Sequence, residues 1–217
     1  MDSIELIENN HIFIERITSG NLQSNSYIVA SNKTKTACII DPCMPDGILK
    51  EEIRRYKFRL KCIVNTHGHI DHIEANDRFK VPVYIHREDA QFLKDATLNL
   101  SRFLLGKDKI FPEADRLLED NDKIYLNHLY LKVIHTPGHT PGSICLYYNG
   151  FIFTGDTLFL DGIGRCDLPA SSEKMLLRSI CKKLLKLDDK TQVLPGHGPV
   201  TSIGRERKNN PFLQSVE

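Results

Sequence analysis

The chain has 217 residues, of which 29 are basic and 28 acidic, giving a net charge of +1; 41% are hydrophobic and 26% charged. These are globular proportions that exclude disordered and collagen-like classes, and a chain this long can bury about 70% of its unfolded surface. The balanced charge gives no support to a partner bound through a phosphate backbone.

The N-terminus, Met1 to Glu5, is acidic and lacks the apolar core of a secretory signal. No uncharged apolar run reaches bilayer length, so no membrane partner is expected. The six cysteines form no C-x-x-C pair, and Cys38, Cys62 and Cys145 sit inside strand-like runs where a thiol behaves as a small hydrophobe. The default expectation is a reduced, cytoplasmic protein without disulfides.

The first third reads as short strands at Ile12–Ile14, Ser26–Ala30 and Thr36–Ile40. Pro45 and Asp46 open a helix, with Asp46 as N-cap and Ile48, Leu49, Ile53 and Tyr56 at helical spacing. Lys61–Asn65 reads as a buried strand, followed by a histidine-rich loop and a helix from about Ile73. Val83–Ile85 is a strand, and Arg87 to Leu105 reads as helical. Strands at Lys123–Leu126 and Leu129–His135 meet across a tight turn at Asn127-His128. Ser143–Tyr148 and Phe151–Thr154 flank Asn149-Gly150, a strong hairpin signal. Glu173 to Leu187 is an amphipathic helix, Gln192–Leu194 a last strand, and a short polar helix closes the chain. The segments 11–95 and 115–210 mirror each other loosely, and no linker divides them. The expectation is one α/β domain over residues 1–217, with hairpins that force antiparallel pairs.

Chemistry concentrates in Thr66-His67-Gly68-His69-Ile70-Asp71-His72. In an extended loop His67 and His69 project to one side and can reach one metal, while Asp71 and His72 turn toward a second point. Imidazole with carboxylate suits zinc, iron or manganese. Three later segments share the design: His139 in His135–Gly142, Asp156 in Phe153–Thr157, and His197 in Leu194–Pro199. Each follows an apolar strand and sits beside a glycine, and together they supply seven ligands at four strand ends, enough for two metals. Against this, Asp71 and Glu74 also read as a capping box for the next helix. His11, His86, His128 and His135 lack partnering motifs and read as surface residues, with His135 the best placed to brace a ligand imidazole.

As a set, His67-x-His69-x-Asp71-His72, His139, Asp156 and His197 resemble the metallo-β-lactamase superfamily across nearly the whole chain. The resemblance implies a four-layer αββα sandwich with mixed sheets. It implies that His67, His69 and His139 hold a first divalent metal, that Asp71, His72 and His197 hold a second, and that Asp156 bridges them. Lactamases of the commonest zinc class carry Cys at the position of Asp156, and flavodiiron proteins carry Glu at that of His69. The run Gly155–Phe159, then Gly162-Ile163-Gly164-Arg165, is most similar to glyoxalase II and its short relatives, which hydrolyse thioesters such as hydroxyacylglutathione. The implied enzyme is a binuclear zinc thioesterase in which a metal-bridging hydroxide attacks the thioester carbonyl. In it Asp71 and Asp156 are catalytic and Arg165 clamps a substrate carboxylate. Two departures stand out. Only 20 residues follow His197, too few for the helical C-terminal domain of glyoxalase II, and Asp167 replaces a substrate-lining tyrosine.

The alternative on the same fold is a persulfide dioxygenase with one iron held by His67, His139 and Asp156; a metal-holding scaffold without catalysis ranks last. The partner is a small-molecule thioester, and a homodimer is left open. Arg165 has a competing role as a loop arginine paired to Asp161 or Asp167. An electropositive neighbourhood would activate the Cys166 thiol, but an ordinary packed or exposed thiol is the better expectation. The apolar stretch Thr97–Phe111 either roofs the cleft or fills the core edge or a dimer contact, the latter being the better expectation. Arg205–Lys208 reads as a solvated helix face.

Overall fold

The computed structural model describes residues 3–8, 11–43 and 47–214. Seven strands form the first sheet, side by side in chain order: β1 Ser3–Glu8, β2 Ile12–Ser19, β3 Ser24–Ser31, β4 Thr36–Ile40, β5 Arg59–Val64, β6 Val83–His86 and β7 Arg116–Leu118. β1 to β4 pair antiparallel, and β4 to β7 pair parallel. Between these strands lie α1 Ile48–Arg55, α2 Ile70–Ile73 and α3 Ser101–Leu104. The second half adds β8 Lys123–Leu126, β9 Leu129–His135, β10 Ile144–Tyr148 and β11 Phe151–Gly155. A two-stranded ribbon, β12 Leu158–Phe159 and β13 Gly162–Ile163, precedes α4 Glu173–Lys182, β14 Gln192–Pro195, β15 Thr201–Ser202 and α5 Ile203–Asn209. The second sheet runs β15-β14-β11-β10-β9-β8, with β11 and β14 its parallel pair.

Alternation along the strands decides the layers, because successive side chains point to opposite faces. Ile12, Ile14, Tyr27, Val29, Cys38, Ile40, Cys62 and Val64 meet Leu131, Val133, Ile144, Leu146, Phe153 and Leu194 between the two sheets. The intervening residues Phe13, Ile28, Ala30, Ile39 and Ile63 face α1, which contributes Leu49. On the far side Cys145, Ile152 and Val193 pack against Leu176 and Ile180 of α4 and Ile203 of α5. The result is the expected four-layer αββα sandwich. Tyr27 and Phe153 meet edge to face at 5.1 Å across the central layer, and the Tyr27 hydroxyl donates to the Pro195 carbonyl at 2.7 Å. A Phe153→Ala cavity there would cost about 3–5 kcal/mol.

Asn149 and Gly150 carry φ of 38° and 86°, the paired positive values of a type I′ hairpin. Pro45 and Asp46, expected to open the first helix, lie outside the described residues, as do Met1 and Asp2; Gly47 precedes α1. The helix expected over Arg87–Leu105 is replaced by a 3-10 helix, Arg87–Leu93, and the short α3. Asp95 Oδ1 accepts from the backbone N–H groups of Thr97 and Leu98, a local turn that competes with helix, and Leu100 is left-handed at φ 67°. The helix expected from Ile73 is absent: the single turn α2 ends there and only a 3-10 turn, Asn76–Arg78, follows; Glu173–Leu187 breaks at Lys183 before another 3-10 turn. Glu206 of α5 is buried, accepting from Thr201, Asn210 and the Asp161 N–H, so this segment is not a simple solvated face. Among the described residues no helix is long and apolar enough to cross a membrane.

Candidate metal centre

The predicted site residues come from the C-terminal ends of strands in both sheets. The Thr66–His72 segment follows β5, His139 follows β9, Asp156 follows β11 and His197 follows β14. All seven converge. His67, His69 and His139 each offer a ligand atom within 4.8 Å of the others, and so do Asp71, His72 and His197. Within the first trio, Nδ1 of His69 lies 2.9 Å from Nε2 of His139. In the second, His197 Nε2 lies 3.2 Å from Asp71 Oδ2 and 3.3 Å from His72 Nε2. Asp156 stands between them, 3.3 Å from His72 Nε2, 3.5 Å from His139 Nε2 and 3.6 Å from His197 Nε2.

Local hydrogen bonds aim the rings. His139 Nδ1 meets the Arg165 carbonyl at 2.9 Å, and His197 Nδ1 meets the Leu22 carbonyl at 3.1 Å, which turns both Nε2 atoms inward. His72 Nδ1 lies 3.1 Å from Asp41 Oδ2, and the same carboxylate accepts from the Thr66 hydroxyl at 2.6 Å and the Thr66 N–H at 2.7 Å. Asp71 is not the helix cap that its spacing to Glu74 suggested, because His69 occupies the N-cap position and Asp71 lies in the first turn of α2. Its Oδ2 instead accepts from the Ser24 hydroxyl at 3.1 Å. Gly196 is required for space: a Cβ there would overlap Asp156 Oδ1 and His72 Cε1.

The donor set fits divalent cations. Nε2 of His67 and Oδ1 of Asp156 are buried with no hydrogen-bond partner, as is Nε2 of His69. Burial and neighbouring imidazoles hold His67 and His69 well below the ordinary histidine value, so both rings are neutral and can donate lone pairs. Burial opposes protonation of His72 as well, yet Asp71, Asp156 and Asp41 raise it to about 10. Burial would push the Asp71 carboxyl up, but His72 and His197 hold it below the usual carboxylate range. A cluster of carboxylates that draws a proton onto a fully buried imidazole is a site built for positive charge.

Two acids that hold the site were missed from sequence. Asp41 follows β4 in Ile40-Asp41-Pro42, which reads as an ordinary turn. Asp89, in the 3-10 helix, accepts from Gly68 N–H at 2.9 Å, Thr140 Oγ1 at 2.7 Å and Gly142 N–H at 2.6 Å, joining the His67–His69 loop to the His139 loop. Conversely, His135 braces no ligand: it stacks on the buried His86 at 3.9 Å and turns Nε2 to the Pro141 carbonyl. Arg165 takes its competing role, forming two 2.9 Å bonds to Asp167. Cys166 is not activated, since burial and the Glu173 and Asp167 carboxylates push its thiol up.

A cavity of about 590 Å³ opens over the centre. His69, Asp71, His139, Asp156 and His197 lie at its polar end; Leu22, Leu100, Phe103, Leu104, Phe159, Arg165, Leu168 and Pro169 complete the lining. The Thr97–Phe111 stretch therefore divides its roles, with Leu100 and the exposed Phe103 and Leu104 roofing the cleft while Phe111 packs against Ile70 and Leu93 in the core.

Comparison with known proteins agrees with this geometry. The family model described as metallo-beta-lactamase superfamily matches residues 19–197. A probable metallo-hydrolase, YqgX, from Bacillus subtilis is 36% identical over 91% of this chain and 96% of its own. A hydroxyacylglutathione hydrolase, GloC, from Haemophilus influenzae is 35% identical over 93% of this chain and 98% of its own. Among solved structures, the BLEG-1 B3 metallo-beta-lactamase superposes with a TM-score of 0.87 at 37% identity, covering 93% of this chain and 100% of that one. TTHA1623 in a di-iron-bound form gives a TM-score of 0.79 at 33% identity over 91% and 99% of the two chains. ETHE1 from Myxococcus xanthus gives 0.77 at 25% identity over 94% and 85%.

Proposed function

The chain belongs to the metallo-beta-lactamase superfamily, and from that premise we propose that it is a binuclear metal-dependent hydrolase that cleaves a thioester. The observation that carries the two-metal part is the pair of convergent trios with Asp156 between them. The thioester part is supported by the glyoxalase II-like run from Gly155 to Arg165 and by the relative named as a hydroxyacylglutathione hydrolase.

On this reading His67, His69 and His139 would hold one cation and Asp71, His72 and His197 the other, with Asp156 placed between the two trios. Bound there, divalent cations supply Lewis acidity toward a carbonyl oxygen and lower the pKa of water toward about 7. The protein's own contribution is position and charge. Asp41 fixes His72, the Arg165 and Leu22 carbonyls fix His139 and His197, and Asp89 fixes the two loops against each other. Asp71 stays ionised and is oriented by the Ser24 hydroxyl, which places an acceptor at the polar end of the cavity where an attacking water's proton would go. Zinc is the expected metal; the neighbour solved with two irons keeps iron in view for that protein's relatives.

Elemental analysis of freshly purified protein, combined with a panel of acyl-thioesters, a β-lactam and glutathione persulfide, tests the proposal. Two metals per chain with thioester turnover support it. One iron per chain with oxygen uptake on the persulfide would replace it with the dioxygenase, and turnover of the β-lactam alone would move the chain toward its lactamase neighbour.

A further inference from the structure

The cavity wall has a chemistry that metal ligation does not explain. Among the described residues nine large hydrophobic side chains are exposed, and three of them, Leu22 (47%), Phe103 (67%) and Leu104 (46%), stand on this one cleft. They come from separate segments, the β2–β3 turn and α3, and face Phe159 and Leu168 from two more. Exposed and half-buried apolar groups gathered from four parts of a chain around a reactive centre mark a ligand surface, not stray exposure.

The roof is held in place. The backbone N–H of Ile70, next to His69, donates to the Asn99 carbonyl at 2.7 Å. Asn99 Nδ2 and Ser101 Oγ both donate to the Lys109 carbonyl, and Arg102 pairs with Asp108 through bonds of 2.9 and 2.8 Å. Phe103 and Leu104 therefore sit at a fixed height over the ligand loop.

Charge points the same way. A glutathione moiety carries two carboxylates and one ammonium, and its capture calls for cationic side chains. Arg165 is the one Arg or Lys in the cavity lining, and Asp167 already occupies the Nε–Nη2 edge of its guanidinium.

Resting on the thioesterase reading above, we infer that the substrate is a thioester with an apolar acyl chain, which lies under Phe103 and Leu104 against Leu22, Phe159 and Leu168. The thiol half needs no carboxylate contact. The step is hydrolysis: water adds its oxygen to the acyl carbon, the C–S bond breaks, and carboxylic acid and thiol leave.

The test uses the metal-loaded protein and N-acetylcysteamine thioesters of acetyl, butyryl, hexanoyl and octanoyl groups. kcat/KM is expected to rise two- to fourfold per added CH2, as burial of a methylene predicts. Phe103→Ser should flatten that slope while melting temperature and metal content stay unchanged. The same acyl group on glutathione should change kcat/KM less than threefold. A flat or falling chain-length series would overturn the inference. So would a glutathione preference above tenfold that Arg165→Ala removes. If no thioester turns over, calorimetry with S-alkyl-N-acetylcysteamine thioethers decides. Affinity that tightens with chain length keeps the apolar subsite and rejects only the thioesterase reading, whereas affinity independent of length rejects the subsite as well.

Discussion

Asp41 Oδ2 lies 3.1 Å from Nδ1 of His72, while both of its oxygens are also tied to Thr66. Because that ring nitrogen is committed, Nε2 is the atom presented to Asp71, Asp156 and His197. Asp41→Ala frees the ring, and loss of such an outer partner weakens metal affinity about 10- to 100-fold. The expected outcome is a fall from two metals per chain toward one after dialysis, read by elemental analysis. Retention of both would assign Asp41 to folding alone.

Asp89 is buried and satisfies two backbone N–H groups and one hydroxyl from the two loops of the first trio. Asp89→Ala leaves those donors buried without acceptors, at about 1–3 kcal/mol each. Urea unfolding of the metal-free variant should show a loss of at least about 2 kcal/mol. A loss below 0.5 kcal/mol, on the scale of ordinary surface substitutions, would mean that water replaces the carboxylate without cost.

Gly196→Ala puts a methyl group onto Asp156 Oδ1 and His72 Cε1. The collision is local to the centre, so the secondary structure should survive while turnover falls about 100-fold or more. Circular dichroism and initial rates on one preparation separate the two effects. An active variant would show that Asp156 moves freely, contrary to a bridging position.

Glu15 on β2 is 1% exposed, with Oε2 unpartnered. Burial and the Glu52 carboxylate raise it from 4.5 to about 7. The folded state therefore holds this proton more tightly than the unfolded chain. Its contribution is fully present below about pH 4.5 and is lost as pH rises through about 7. Glu15→Gln should stabilise by on the order of 1–2 kcal/mol at pH 8 and change little at pH 4.5. Thermal melts at the two pH values read the difference; equal effects at both would place the cause in packing.

Arg165 and Asp167 are 69% and 71% exposed in their side chains, so their pair adds little to stability despite its two good bonds. Arg165→Ala is expected to shift the urea midpoint by less than about 0.5 kcal/mol in equivalent stability. A large loss would show that the His139-facing Arg165 backbone depends on its side chain.

The convergent histidines were legible because rare residue types stand close together, each beside a glycine at the end of an apolar run. The layers followed from period-two alternation, as in Ile12-Phe13-Ile14, whose outer members face the other sheet and whose middle member faces α1. Asp41 and Asp89 were illegible for the opposite reason. Each is a lone acid whose partners are brought in by the fold, and no spacing marks it. The failed helix over Arg87–Leu105 shows side chains overriding pattern, with Asp95 and Asn99 spent on backbone N–H groups. Arg165 was undecidable locally because clamp and ion pair call for the same residue type; only the position of Asp167 separates them.

Each trio draws two members from the end of the first sheet, His67 with His69 or Asp71 with His72, and one from the second, His139 or His197. Neither of these two trios is therefore complete within one half of the chain. Filling the centre clamps the two halves together, and the free energy of binding is added only to the docked state. A chelator would then act as a wedge at one rim of the central layer, loosening the seam between the sheets before either sheet loses its own hydrogen bonds.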